Sequence, residues 1–180
     1  MTTQEYIRSL NAKISKLKTG LPIAIAAQDT HVKMVTRIFD EGKNTEGSEI
    51  GKYNSTDPLY VNPNNSPKKF PTKGKTGKSK FANGESHKTG YFESYKAYRE
   101  KVGRETEHVN LTLFGILRND FGKGVVKLSN VSYISKVSQK ENKDKIDGAE
   151  DRYGDIFKLS KEERENFKEV LEFETLEILK

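Results

Sequence analysis

From Lys43 to Gly90 the chain shows no helical period, whereas the segments on either side of it do. An irregular stretch of that length is uncommon inside a compact domain and is usually functional or disordered. The sequence therefore predicts helices at both ends, with an insertion of a different character between them. Thr3 to Leu17 reads as a helix, with Thr2 or Thr3 as N-cap and Gly20 near its C-terminal end. Ile7, Leu10, Ile14 and Leu17 recur at spacings of three and four, which places them on one face. A second helix is expected from Pro22 to Asp40, because proline suits a first helical turn and Gly42 supplies a stop. Its stripes are Ile23, Ala27, Met34 and Ile38, beside Gln28, Val32, Val35 and Phe39.

Beyond the insertion, Tyr91, Tyr95, Tyr98 and Val102 return to helical spacing, ended by Gly103. Val109 to Phe121 predicts a short helix through Leu117, and Val125 to Val137 predicts two strands turning at Ser129–Asn130. Lys140 to Gly154 reads as a polar connector. Ser160 with Glu163 forms a capping box, and the helix after it is expected to turn Phe167, Val170, Leu171 and Leu176 inward. Leu171 to Thr175 also alternates like a strand, so the end of the chain reads both ways. Together these predict a single α+β domain over residues 1–180, with residues 62–90 as a lysine-rich flexible loop or arm.

Hydrophobic residues make up only 33% of the chain, below the proportion of ordinary soluble domains even after glycine is added. Much of such a chain must lie outside its own core, and proteins of this kind often complete their packing in an assembly. There is no cysteine, which excludes disulfides and thiolate metal sites. The longest apolar run, Leu21 to Ala27, falls far short of the roughly 20 residues that span a bilayer. The N-terminus lacks the basic-then-apolar order of a signal peptide, so the protein is expected to be soluble and intracellular at synthesis.

Between Asn62 and Gly90 stand seven lysines (Lys68, Lys69, Lys73, Lys75, Lys78, Lys80 and Lys88) against one acid, Glu85, an excess equal to the net charge of +6. Lysines neutralise phosphates without reading sequence, and Phe70 and Phe81 could stack on bases. The loop has no arginine and its aromatics are far apart. An arm that orders against an acidic partner surface is the favoured reading of Lys68, Lys69, Lys73, Lys75, Lys78 and Lys80, with non-specific DNA contact as the alternative.

Thr72 to Ser79 resembles a phosphate-binding loop, but Thr72 occupies a position that needs glycine, and neither flank reads as a core strand or capped helix. A nucleotide-dependent enzyme built on Gly77-Lys78-Ser79 is thus the least supported reading. His31, His87 and His108 show no ligand spacing and read as surface or interface histidines. The acids Asp144, Asp147, Glu150, Asp151 and Asp155 lack the register of a calcium loop and interleave with cations. No nucleophile–base pattern or paired carboxylates stand out, so no catalytic, cofactor or metal residues are assigned. Tyr53, Tyr91, Tyr95 and Tyr98 are candidate inter-subunit contacts, or else an internal tyrosine-rich face.

Arg37-Ile38-Phe39 followed by Gly42, Gly47 and Ile50-Gly51-x-Tyr53 resembles the start of the phage virion morphogenesis proteins, the tail-completion or head–tail connector components of long-tailed phages. Gly90-Tyr91 with Tyr95 and Tyr98-Arg99, Gly103-Arg104, and Val109-Asn110-Leu111-Thr112-Leu113 with Gly115 and Leu117 are similar to its middle block. Leu159-Ser160 with Glu162-Glu163 resembles the start of its closing helix. Phe114 departs from the family's threonine, and the 62–90 insertion is longer and more basic. The resemblance implies a structural virion protein of the neck without cofactor or catalysis. It would be an α+β protomer in a ring, six-fold by expectation, whose helices pack on a small antiparallel sheet. Its neighbours would be portal, adaptor and tail-tube proteins, and packaged DNA would pass close by. Ring closure needs a heterologous interface, for which Val125–Val137 and Pro22–Asp40 are the candidate faces.

Overall fold

The computed structural model describes residues 2–61, 77–80, 86–113 and 115–180. Helices combine with small antiparallel sheets, as expected of an α+β chain. The chain packs as two compact units, one of Met1–Ile50 with Asn110–Lys180 and one of Gly51–Val109.

The first unit begins with α1, Thr3–Lys18, whose N-terminus is closed by a capping box between Thr2 and Glu5. Helix α2, Leu21–Val35, follows directly and widens into a π-helical turn over Thr36–Asp40, where the Glu41 N–H donates to the Thr36 carbonyl at 3.0 Å. That turn carries the consecutive Arg37, Ile38 and Phe39 into the interior. A tight loop comes next, in which Asn44 Oδ1 accepts from the Glu46 and Ser48 N–H groups. It returns the chain so that the Ile50 N–H reaches the Gly42 carbonyl at 2.8 Å.

Gly20, between α1 and α2, has a φ of +77°, and a Cβ there would lie 1.9 Å from the Asn130 carbonyl oxygen. Only glycine allows this approach. The contact fixes the α1–α2 corner against the turn of a hairpin made of strands Val125–Ser129 and Ser132–Ser135, helped by Asn130 Nδ2 donating to the Lys18 carbonyl at 3.0 Å.

In the second unit, strands β1 (Leu59–Val61), β2 (Gly77–Lys80) and β3 (Ser86–Phe92) form an antiparallel sheet in the order β1-β3-β2. Helix α3, Tyr95–Lys101, follows. The sequence places Tyr91 on that helix; in the structure it belongs to β3, registered opposite Tyr60. The reason is Ser94, whose hydroxyl accepts the Ala97 N–H at 3.1 Å and starts the helix at Tyr95, four residues later than the tyrosine spacing suggests.

The chain re-enters the first unit through α4, Ile116–Phe121, shorter than the expected 109–121 element because Gly115 forms its N-cap with a φ of +77°. The hairpin strands are β4 (Val125–Ser129) and β5 (Ser132–Ser135). Residues 140–154, read from sequence as a connector, are instead mostly helix α5, Lys140–Tyr153. Helix α6, Lys161–Leu179, runs unbroken to the end of the chain, which settles the ambiguity there in favour of helix. Its box at Ser160 and Glu163 forms as predicted. α2 is the central element, packed on α6, on α1 and on the inner face of the hairpin. Ala26, Met34, Ile38, Phe39, Leu117, Phe121 and Ile156 fill the core around it.

Candidate functional site

Lys68, Lys69, Lys73 and Lys75 lie outside the described residues, as do Phe70 and Phe81. Lys78 and Lys80 lie on β2, registered opposite Lys88 and Ser86. The Gly77-Lys78-Ser79 segment is therefore a strand, where a phosphate-binding loop would lead into a helix N-terminus. Tyr53, Tyr95 and Tyr98 come together within the second unit. The Tyr53 and Tyr95 rings meet edge to face at 5.5 Å, and the buried Arg99 guanidinium lies 4.0 Å from the centre of the Tyr53 ring. Tyr98 is itself buried against Phe92, with the ring centres 5.1 Å apart. Among the described residues no three histidines or carboxylates lie close enough to hold a metal ion, and no helix is long and apolar enough to cross a membrane.

Two buried polar networks organise the first unit. In one, Arg37 Nε donates to Glu163 Oε1 at 2.7 Å, while its remaining donors reach the carbonyls of Lys43, Ile156 and Lys158 at 3.0, 3.1 and 2.9 Å. The other Glu163 oxygen accepts the Ser160 N–H at 2.8 Å. One carboxylate thus caps α6 and neutralises the buried guanidinium that holds three loop carbonyls.

In the second network, Asp120 on α4 accepts the Ser138 and Gln139 N–H groups at 3.0 Å each, the Asn142 side-chain amide at 2.9 Å, and the Ser138 hydroxyl. It acts as an N-cap for α5 supplied from another helix. Hydrogen bonds from Asn142 and Ser138 hold its carboxyl well below the usual carboxylate range. A depressed folded value means that the contribution is complete above the unfolded value of 3.8 and is lost as pH falls below it. Asp120→Asn is expected to lower the melting temperature at pH 7. The gap to the parent protein should narrow between pH 4 and pH 2, as thermal melts across that range would register.

Between α2, the hairpin and the start of α6 runs an open groove of about 620 Å³. Ile23, Ala27 and Met34 form one wall, Val131 and Ile134 another, and Leu159 and Phe167 a third; Lys158 and Arg164 also line it. His31 and Thr30 belong to the same lining. His31, read from sequence as a surface or interface residue, is only 2% exposed. The imidazole sits on α2 with its ring 5.1 Å from Phe121, and its Nδ1 is hydrogen-bonded to Ser135 Oγ at 2.8 Å. Burial pushes it below its ordinary pKa, against a smaller opposing effect of the Phe121 backbone. His31 Nε2 and Thr30 Oγ1 are buried without a hydrogen-bond partner of normal geometry.

Around this groove the first unit leaves large apolar side chains uncovered. Val126, Leu128 and Ile134 are exposed on the hairpin, with Val126 registered opposite Ile134, and Val131 at its turn is 74% exposed. On α2, Leu21, Ile25 and Val32 make an exposed stripe, and on α1 Ile7, Leu10 and Ile14 remain exposed along the predicted apolar face. Leu176, expected inward, is 58% exposed and Phe173 60%, because α6 turns Phe167, Val170, Leu171 and Ile178 toward its neighbours instead. Helical period indicates which residues share a face, not whether anything covers it. No protein family, curated protein or solved structure was found to match this chain.

Proposed function

We propose that this chain is a non-catalytic structural protein of a tailed bacteriophage particle, a tail-completion or neck component at the head–tail junction that acts by assembling with copies of itself and its neighbours. The observation that carries the reading is the grouping of uncovered apolar residues on the hairpin, α1, α2 and α6 of the first unit. Exposed apolar side chains scattered singly need no explanation, but faces of them mark interaction surfaces. The residue resemblance to virion morphogenesis proteins supplies the kind of assembly. Two of its separated pieces, Arg37-Ile38-Phe39 and Ser160 with Glu163, meet in the Arg37–Glu163 ion pair. The partners in this reading are further copies in a ring, six-fold by expectation, with portal or adaptor and tail-tube proteins at either end. No cofactor or membrane is involved, and the protein passes from the host cytoplasm to the virion. Disrupting the gene should leave full heads and finished tails unjoined under the electron microscope; joined, infectious particles without the protein would overturn the proposal.

The placement of the whole excess charge within residues 62–90 supports a second reading, a phage-encoded nucleic-acid-binding accessory protein. It predicts DNA binding by the purified protein with a steep dependence on salt, lost when residues 62–90 are deleted. Normal assembly of that deletion variant would remove the segment from the assembly mechanism.

A further inference from the structure

Besides α2, which itself forms a wall of the groove, two helices of the first unit carry uncovered apolar side chains, and their charges separate them. On α1, four cations (Arg8, Lys13, Lys16 and Lys18) stand against Glu5 alone. From residue 169 to the end of the chain, four glutamates (Glu169, Glu172, Glu174 and Glu177) stand against Lys180 alone, with Phe173, Leu176 and Leu179 exposed among them. The charged groups lining the groove, Lys158 and Arg164, are both cationic. An acidic helix with apolar teeth matches such a groove in both respects, and a basic one is repelled by it.

We propose that the groove between α2 and the hairpin receives the second half of α6, with Phe173 and Leu176 as its anchors, from a second copy of this chain. This rests on the assembly reading and names its self-contact. The helix cannot serve its own groove: Phe173 lies six residues beyond Phe167, which already lines the groove, and so about 9 Å further along the same straight element. Glutamates of the incoming helix would face Lys158 and Arg164. Because groove and helix end are different surfaces of one protomer, one copy can give its helix end to the next, and this head-to-tail contact propagates from copy to copy until it closes a ring or extends as a filament.

The test uses the full chain and three variants, with molar mass followed by light scattering and sedimentation, and helical content and melting checked against the parent. The double substitution Phe173→Glu with Leu176→Glu alters only exposed residues, so its fold should persist. Ala27→Trp fills the groove, and Arg164→Glu reverses its charge should the tryptophan disturb packing. The parent is expected to form higher oligomers. Each variant should associate roughly thirtyfold or more weakly, the factor that corresponds to loss of a single interface hot spot. An equimolar mixture of the helix-end variant with either groove variant should give one-to-one dimers and nothing larger, since one good groove and one good helix end remain. Oligomers that survive the helix-end substitutions overturn this contact and leave the assembly reading standing. A parent that stays monomeric, while Ala27→Trp still blocks head–tail joining, also overturns it and assigns the groove to another protein of the particle. A parent that neither self-associates nor is needed for joining overturns both.

Discussion

Glu163→Ala is expected to destabilise the protein by about 3–5 kcal/mol, the usual cost of removing one partner from a buried ion pair. The Arg37 and Glu163 side chains are only 10% and 5% exposed, so water cannot replace the lost carboxylate around the guanidinium. The same change removes the acceptor of the Ser160 N–H and opens the first turn of α6. Arg37 cannot withdraw to solvent without releasing the carbonyls of Lys43, Ile156 and Lys158, which tie the end of α2 to the approach to α6. Glu163→Gln keeps an acceptor oxygen and should lose less. The double replacement Arg37→Met with Glu163→Leu should cost less than the two single changes added together, because no unpaired charge remains. Urea unfolding of the five variants (Glu163→Ala, Glu163→Gln, Arg37→Met, Glu163→Leu and the double replacement) gives the comparison; a loss under 1 kcal/mol for Glu163→Ala would mean that the pair contributes little in solution.

Phe39→Ala is expected to cost about 3–5 kcal/mol, through lost transfer energy and the cavity left behind. Phe39 is 1% exposed, with ring centres 5.9 Å from Phe121 and 6.2 Å from Phe157, which themselves meet edge to face at 5.3 Å. These rings bring the π-helical end of α2, α4 and the chain before α6 onto one point. The site cannot collapse easily, because each ring is held by a different element. Ile116→Ala, at an exposed position on α4, serves as the control and should change stability by no more than about 0.5 kcal/mol. Equal effects at the two positions in urea titrations would contradict this placement of the core.

Local chemistry explains which parts of this architecture could be read in advance. The starts of α1 and α6 depend on capping boxes whose members are three residues apart; the one at Ser160 and Glu163 stood out in the sequence, while at α1 only the threonine cap did. Pro22 and Gly20 marked the α1–α2 corner, although the reason for Gly20 is a carbonyl far along the chain. The start of α5 was hidden because its cap, Asp120, lies 18 residues before Ser138 and is brought there by tertiary structure. The tyrosine spacing of four, three and four overran the start of α3, since a period cannot show that the first tyrosine is already paired in a sheet. Histidine spacing excluded a simple ligand set but could not show His31 buried against Phe121. The groove was illegible for the same reason: α2, the hairpin and α6 line it together, and no short stretch of sequence contains it.

The central claim is that the uncovered faces of the first unit are covered in a phage particle. Electron cryo-microscopy of the purified particle tests it directly. The account predicts a ring of copies at the head–tail junction, with the hairpin residues Val126, Leu128 and Ile134 and the α6 residues Phe173 and Leu176 packed against adjacent subunits. A complete, infectious particle whose neck density contains no copy of this chain would contradict it.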